Sequence, residues 1–454
     1  MNAAVLHIRE IQLFERPVTL RLPFRFGAAT VTQCPQAFVR VRAEVNGRSV
    51  WGASAELMVP KWFDKSPALT HEQNFEQLRQ ALRCARNSLS GAEGTAWQLS
   101  LHEGRAALQH AVSLGLPRLA AQFGPALLDK AIADAALRAA GMGWCDGVAA
   151  GVLGDPYAAR LTLQQPMQVW LRHTVGLADR LTSADPGADP QDGLPATLAD
   201  AIGTYGLQRF KLKLCGRIDD DLARLQAIAA LLPAGSAVTL DGNETFADPA
   251  VLAAFWRRFE QTTTLQAMRQ ATLLLEQPLP RHLALQTDIS RLGIGVPVIL
   301  DESDDHDTAL QQGLALGYRG ISSKACKGIY RSLHNAVAMA ARPGLILSGE
   351  DLTCQAGLAV QQDTLLAASL GVTHVERNGH HYVDGFGIAP AAEAEAFAEA
   401  HPGLYHPSDR HSEGHKDGRV RLRVVGGQLD LHSLHGPGFA HAAEPLWHTL
   451  TPLA

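Results

Sequence analysis

The sequence predicts an α/β chain, with a small α+β domain followed by an eight-stranded parallel β/α barrel. Three observations predict it. Short apolar segments that end in charge recur between residues 209 and 376. Those charged ends fall 23 to 35 residues apart, about the length of a strand, a helix and two loops. The 150 residues before them place strands first and helices second, the order of a separate α+β unit.

Residues 1 to about 65 read as β. In Phe38-Val-Arg-Val-Arg-Ala-Glu-Val45 apolar and polar residues alternate, and Asn46-Gly47 follows. That dipeptide supplies the positive φ angles of a tight hairpin. Residues 71 to 140 read as helical. Ala126 to Leu137 is rich in Ala and Leu, and Gly141 just past its end suits a C-terminal stop. Domain boundaries of 1–150, 151–400 and 401–454 follow.

From about residue 160 the pattern is strand, turn, helix, repeated. Met167 to His173 is the expected first strand, and residues 180–195 form a polar loop after it. Asp219-Asp-Asp221 opens a helix whose Leu222, Leu225, Ile228 and Leu232 share a face, with Pro233 closing it. The remaining strands end at Lys213, Asp241, Glu276, Asp301, Lys324, Glu350 and Glu376. The 35-residue interval predicts an insertion near Gln261 to Gln270. An open doubly wound sheet gives a similar pattern, but a barrel brings all the strand ends to one point, where barrel active sites lie. The segment 401–454 is polar and His-rich at first, then alternates again from Val420 to Leu431. It is expected to pack back on the first domain or on the barrel.

Composition narrows the function classes. Among 454 residues the net charge is −5, with no Lys/Arg-rich run, so neither nucleic acid nor an anionic membrane is an expected partner. No stretch is apolar enough to span a membrane, and residues 1–20 carry charges where a signal peptide would be apolar. The cytoplasm is the expected compartment. Six scattered cysteines without a Cys-x-x-Cys pair read as free thiols. His401, His406, His411 and His415 read as a polar tail rather than a metal site.

The charged strand ends carry the chemistry. Charge beside a core is costly unless it is paired or functional. Asp241, Glu276 and Asp301 end three successive strands, and an oxygen-only set of this kind suits Mg2+ rather than zinc. Glu302 competes with Asp301, since strand neighbours point to opposite faces. Lys211 and Lys213 share one side of a strand, and Lys324 leaves a later strand across the barrel. Two close lysines beside a dication are expected to lower each other's pKa, which makes a general base near neutral pH. The chemistry that suits this set is metal-assisted removal of a proton α to a carboxylate, through an enediolate.

The sequence resembles the enolase superfamily, and within it the mandelate racemase/muconate lactonizing enzyme family. The resemblance rests on Lys211-x-Lys213, Asp241-x-Asn243, Glu276-Gln-Pro278, Asp301-Glu-Ser303 and Lys324. Pro23-Phe-Arg-Phe-Gly27 and Trp51-Gly-Ala-Ser-Ala-Glu56 add the look of that family's capping domain. It implies a modified (β/α)7β barrel of the TIM type under an α+β cap. It implies Asp241, Glu276 and Asp301 as Mg2+ ligands, Lys213 and Lys324 as acid/base catalysts, and Lys211 assisting. It implies cap loops near residues 22–35 and 51–63 that close over the substrate, with Phe24, Arg25, Phe26 and Trp62 to watch. Asn243, Glu302, Glu350, Glu376, Arg25 and Trp62 are the candidate substrate contacts. The eighth strand lacks the Asp-x-Asp of the dipeptide epimerases, and no histidine ends the seventh.

The expected function is therefore that of a Mg2+-dependent isomerase or lyase acting on a small carboxylate: a racemase, epimerase or cycloisomerase. The alternatives are an acid-sugar or hydroxy-acid dehydratase on the same scaffold, a Schiff-base barrel aldolase, and a non-catalytic barrel protein. An even-numbered homo-oligomer is expected.

Overall fold

The computed structural model describes residues 3–187, 189–352, 354–407 and 419–454. The first domain is an antiparallel sheet backed by helices. Its long strands are β1 (Val5–Phe26), β2 (Ala29–Val45) and β3 (Arg48–Leu57), with β4 (Glu93–Thr95) paired to the start of β1. The β2–β3 turn is the two-residue loop expected at Asn46 and Gly47, both left-handed at φ 51° and 74°. Helix Arg118–Ala140 crosses the back of this sheet and ends at left-handed Gly141. Its approach needs a glycine beneath it. A Cβ on Gly52 would lie 2.1 Å from the Ala131 carbonyl oxygen.

The second domain is the barrel. Its eight parallel strands are β5 (Gln168–Val175), β6 (Arg209–Lys213), β7 (Ala237–Asp241), β8 (Thr272–Glu276), β9 (Val298–Ile299), β10 (Gly320–Ser323), β11 (Ile346–Gly349) and β12 (His374–Glu376). β12 pairs with β5, and Leu300 bridges to Ile321, so the sheet closes on itself. β6, β7 and β8 end at the residues expected from the sequence. β10 and β11 stop one residue short of the expected Lys324 and Glu350, and β9 departs furthest: two residues keep strand pairing, and Leu300 to Asp301 continue as a bridge and loop. The insertion expected near Gln261 to Gln270 is structured. It forms a 3-10 turn at Thr263–Leu265 and a helix at Gln266–Ala271. The helix opened by Asp219 runs from Ile218 to Ala229 and stops four residues short of Pro233.

The tail joins both domains. β13 (Tyr405–Pro407) pairs with β14 (Val420–Leu422), β15 (Gln428–Asp430) pairs with β5, and β16 (Thr451–Pro452) adds to β1. His411 and His415 lie outside the described residues. His401 is buried, with its Nδ1 2.9 Å from Ser433 Oγ. All six cysteines are free, and among the described residues no helix is long and apolar enough to cross a membrane.

A buried charge cluster holds cap to barrel. Lys130, on the long cap helix, lies 3.2 Å from Glu56 at the end of β3 and 3.8 Å from Asp363 on the barrel helix Leu358–Ser369. Gln362 on the same barrel helix donates to the Ala53 carbonyl of β3 at 2.8 Å.

Candidate active site

Three successive strands deliver the central charges. β6 ends in Lys211 and Lys213, β7 in Asp241 and β8 in Glu276, all buried. Alternation along β6 sends both lysines inward. Lys213 Nζ lies 2.6 Å from Asp241 Oδ2. Lys211, one layer deeper, faces four carboxylates: Asp241 at 3.0 Å, Glu276 at 2.7 Å, Glu350 at 2.5 Å and Glu376 at 2.9 Å.

Asp301 is placed by its neighbours rather than by a long strand. Gln277 accepts hydrogen bonds from the Asp301 and Ser303 backbone N–H groups at 2.8 and 3.1 Å, and donates to Leu279 O and Ser303 Oγ. Gln277, Asn243 and Glu244 all have positive φ, at 33°, 41° and 67°. Left-handed non-glycine residues are costly, and here they cluster at the ends of β7 and β8. Lys324 Nζ lies 2.6 Å from Asp301 Oδ2 and 4.2 Å above the Trp62 ring. The Trp62 indole donates to the same carboxylate oxygen at 3.3 Å.

In the barrel order, β6 and β10 stand four strands apart in either direction. Lys213 at the end of β6 and Lys324 just past β10 therefore approach from opposite walls. The acids at the ends of β7, β8 and β9 lie along one arc between them. Phe24 and Phe26 of β1 cover Lys213, each ring 5.9 Å from its Nζ.

At Lys211 and Lys324 burial and neighbouring charge pull in opposite directions. Burial alone would favour neutral Lys211, but Asp241, Glu276, Glu350 and Glu376 outweigh it and hold the ammonium well above its ordinary pKa. Burial likewise opposes charge on Lys324, and Asp301 reverses the sign and raises its pKa. In this constellation the carboxylates, rather than the neighbouring lysines, set the direction. Asp301 is buried, yet Lys324, Lys327 and Lys211 hold it well below the usual carboxylate range. Glu276 goes the other way: burial, then Asp241 and Glu350, push it well above.

That imbalance fits an additional cation. Glu276 Oε1, Asn243 Oδ1 and Glu302 Oε2 are buried without a hydrogen-bond partner, and Glu276 Oε2 has its contact from Lys211 Nζ at 2.7 Å. The donors are all oxygens, which suits a hard ion such as Mg2+. Among the described residues the tightest group of potential ligand atoms is elsewhere, at Glu56, Cys354 and Asp363. There Lys130 already supplies the cation.

The other candidates fall into three places. Glu350 and Glu376 lie in the barrel interior on Lys211, with Glu350 also 2.5 Å from Arg172 and Glu376 bonded to Thr174 and Asn378. Glu302 turns from Asp301 toward the cap, 3.0 Å from Lys65 and 3.3 Å from Asn243 Nδ2. Arg25 is exposed and lines a cavity at the mouth. Sequence reasoning passed over Lys65, Gln277, Ser322 and Lys327 as participants. Lys327 Nζ, buried, bonds to the Asp301 carbonyl at 2.9 Å and to Ser322 Oγ at 2.8 Å. Its only sequence signal was proximity to Lys324.

Comparison with known proteins agrees with this geometry. Residues 194–443 match the family model described as enolase C-terminal domain-like. No curated protein matches the chain by sequence. Among solved structures, the chain is similar to the L-Ala-D/L-Glu epimerase from Bacillus subtilis, with 16% identity, 95% of this chain and 98% of that one covered, and TM-score 0.62. It is similar to an enolase from Bradyrhizobium complexed with magnesium and mandelic acid, with 18% identity, coverage of 98% and 97%, and TM-score 0.63. It is also similar to a muconate lactonizing enzyme from Pseudomonas fluorescens complexed with muconolactone, with 16% identity, coverage of 98% and 98%, and TM-score 0.63. With a barrel and separate antiparallel domain of this form, and a family match over more than half its length, the chain belongs to the enolase superfamily, as a mandelate racemase/muconate lactonizing enzyme-like protein.

Proposed function

We propose that the chain is a Mg2+-dependent enzyme that removes the proton α to a substrate carboxylate, acting as a racemase, epimerase or cycloisomerase. The observation that carries this reading is the pair Lys213 and Lys324 on opposite barrel walls, with Asp241, Glu276 and Asp301 between them. Those three carboxylates would hold the ion, which when bound would supply a positive charge against the negative charge that develops on the substrate carboxylate.

The chain's own residues do the rest. One lysine, neutral at its Nζ, takes the α-proton and becomes an ammonium. The other, on the opposite face, holds a proton that it can return to the same carbon. Inversion at that carbon needs both. Elimination needs only the first, and ring closure, its reverse, needs only one lysine to deliver the proton. Phe24, Phe26 and Trp62 shield the two Nζ atoms from water, which strengthens every charge interaction inside. Lys211 keeps the Asp241 and Glu276 carboxylates close together.

Lys213→Ala and Lys324→Ala are each expected to lower turnover by at least about a thousandfold, with Mg2+ affinity retained. Solvent deuterium exchange at the α-carbon and magnesium calorimetry read the two effects separately. Full turnover in both variants would remove the assignment.

A further inference from the structure

A cavity of about 490 Å³ lies between the cap helices and the flank of the barrel. None of Lys213, Lys324, Asp241, Glu276 and Asp301 lines it. Residues Ala96 to Ser113 would form one continuous helix but for a π-helical turn at Ser100–Gly104, and Ser100 and Gly104 of that turn border the cavity. Single π turns inside helices are frequent at functional sites. Asp129 of helix Arg118–Ala140 completes the cap side, and Tyr330 and His334 of the barrel helix Ile329–Ala340 stand opposite.

The buried end is acidic and lacks a cation. Asp129 is 4% exposed; its carboxylate accepts from Ser100 Oγ at 2.9 Å and has no ion pair among the described residues. Burial pushes it up to about 8, and Ser100 offsets that only in part. Tyr330 is 5% exposed, and its hydroxyl has no hydrogen-bond partner. Burial, and then the nearby Asp129 and Asp155, push that hydroxyl well above its ordinary pKa. Asp155 is itself buried, with Oδ2 unpartnered, and so is the Nε2 atom of His334. Aromatic rings surround these groups: Trp97 lies 5.1 Å from Tyr330 and 5.4 Å from Tyr157, centroid to centroid. Buried acids without a cation, walled by aromatic rings, favour a ligand that brings an ammonium group.

The exposed end carries the opposite charge. Arg105 and Arg331 share Asp307, at 3.0 and 3.6 Å. Arg118, exposed, has no ion pair among the described residues, and its Nε donates to the Asp305 carbonyl at 3.4 Å. An anion is the partner this end lacks. Asp129 and Arg118 stand eleven residues apart on one helix, about 16 Å along its axis, a span that the arginine side chain shortens without closing. The two charges of the ligand are therefore separated by a carbon chain.

We propose that this cavity binds an ω-amino acid, with its ammonium group at Asp129 among the aromatic rings and its carboxylate at Arg118. The site is separate from the proposed catalytic centre and does not depend on the α-proton reading.

The test is calorimetric titration of the Mg2+-loaded full chain, repeated in EDTA. The probes are unbranched ω-amino acids of roughly four to eight carbons, chosen to span the gap, with the alkylamine and the alkyl carboxylate of equal length. The best ω-amino acid is expected to bind at least about tenfold tighter than either, with or without Mg2+. Asp129→Asn keeps an acceptor for Ser100 and is expected to erase the advantage over the carboxylate. Arg118→Gln alters an exposed side chain and is expected to erase the advantage over the amine. Equal affinity for the three probes, an advantage that survives in both variants, binding that requires Mg2+, or binding of none of them overturns the proposal.

Discussion

Gln277 decides where the Asp301 carboxylate points. Its side-chain oxygen takes two backbone N–H groups across the gap where β9 has stopped pairing. Removing that acceptor leaves two buried donors unsatisfied, at roughly 1–3 kcal/mol each, and frees the carboxylate to drift. Gln277→Ala is therefore expected to weaken Mg2+ binding by about 10- to 100-fold, as other losses of a ligand's supporting hydrogen bonds do. Magnesium titration by calorimetry checks this, and an unchanged affinity would show that Asp301 is held by Lys324, Lys327 and Ser322 alone. At this scale the sequence was legible where charge followed an apolar run, which is how Lys213, Asp241 and Glu276 stand out. It was silent on Gln277 and Lys65, whose partners are distant in the chain: Lys65 meets Glu302 only after cap and barrel have come together.

Elements were legible to the extent that local pattern controls them. The Asn46-Gly47 hairpin, the long Ala-rich helix and the ends of β6 to β8 follow from turn chemistry and burial. β9 was misjudged because Gln277, rather than strand pairing, carries its last residues. The interval of 35 residues signalled an insertion near Gln261 to Gln270 but not that Gln266–Ala271 is helical, because interval counting gives length without conformation. Two predictions belong here. Gly52→Ala places a Cβ inside the contact with Ala131, so the cap is expected to lose about 3 kcal/mol, seen as a lower urea midpoint. The tail offers a pH test. His441 is buried, which lowers its pKa, but Asp134 on the cap helix more than reverses this and carries it from 6.5 to about 9. The folded value lies above the unfolded one, so this contact stabilises fully below pH 6.5 and is lost as pH rises through about 9. Unfolding free energy should fall by up to about 3 kcal/mol across that window, and His441→Gln should flatten the profile. A wild-type profile as flat as the variant's would rule the contact out as a source of stability.

At the scale of the molecule, cap and barrel are one machine because the cap supplies Phe24, Phe26, Trp62 and Lys65 to a site built on barrel strands. Lys130 keeps them in register. Burial and Asp363 push Glu56 up to about 8 even against Lys130, the cation that partly offsets them. Lys130→Met would strand two buried acids, with an expected cost of about 3 kcal/mol and separated cap and barrel transitions in scanning calorimetry. A single transition at the wild-type temperature would contradict that. The cluster was invisible in the sequence, since Glu56, Lys130 and Asp363 lie far apart along it. The proposed chemistry belongs to the whole assembly, with opposed lysines flanking a magnesium site and exchanging an α-proton. The most direct measurement is proton NMR of amino-acid derivatives, hydroxy acids and dicarboxylates incubated with the enzyme in D2O, with Mg2+ or with EDTA. The expected result is loss of an α-proton signal that requires Mg2+, is abolished by EDTA and disappears in Lys213→Ala/Lys324→Ala. Exchange that continues in EDTA or in the double variant would contradict it.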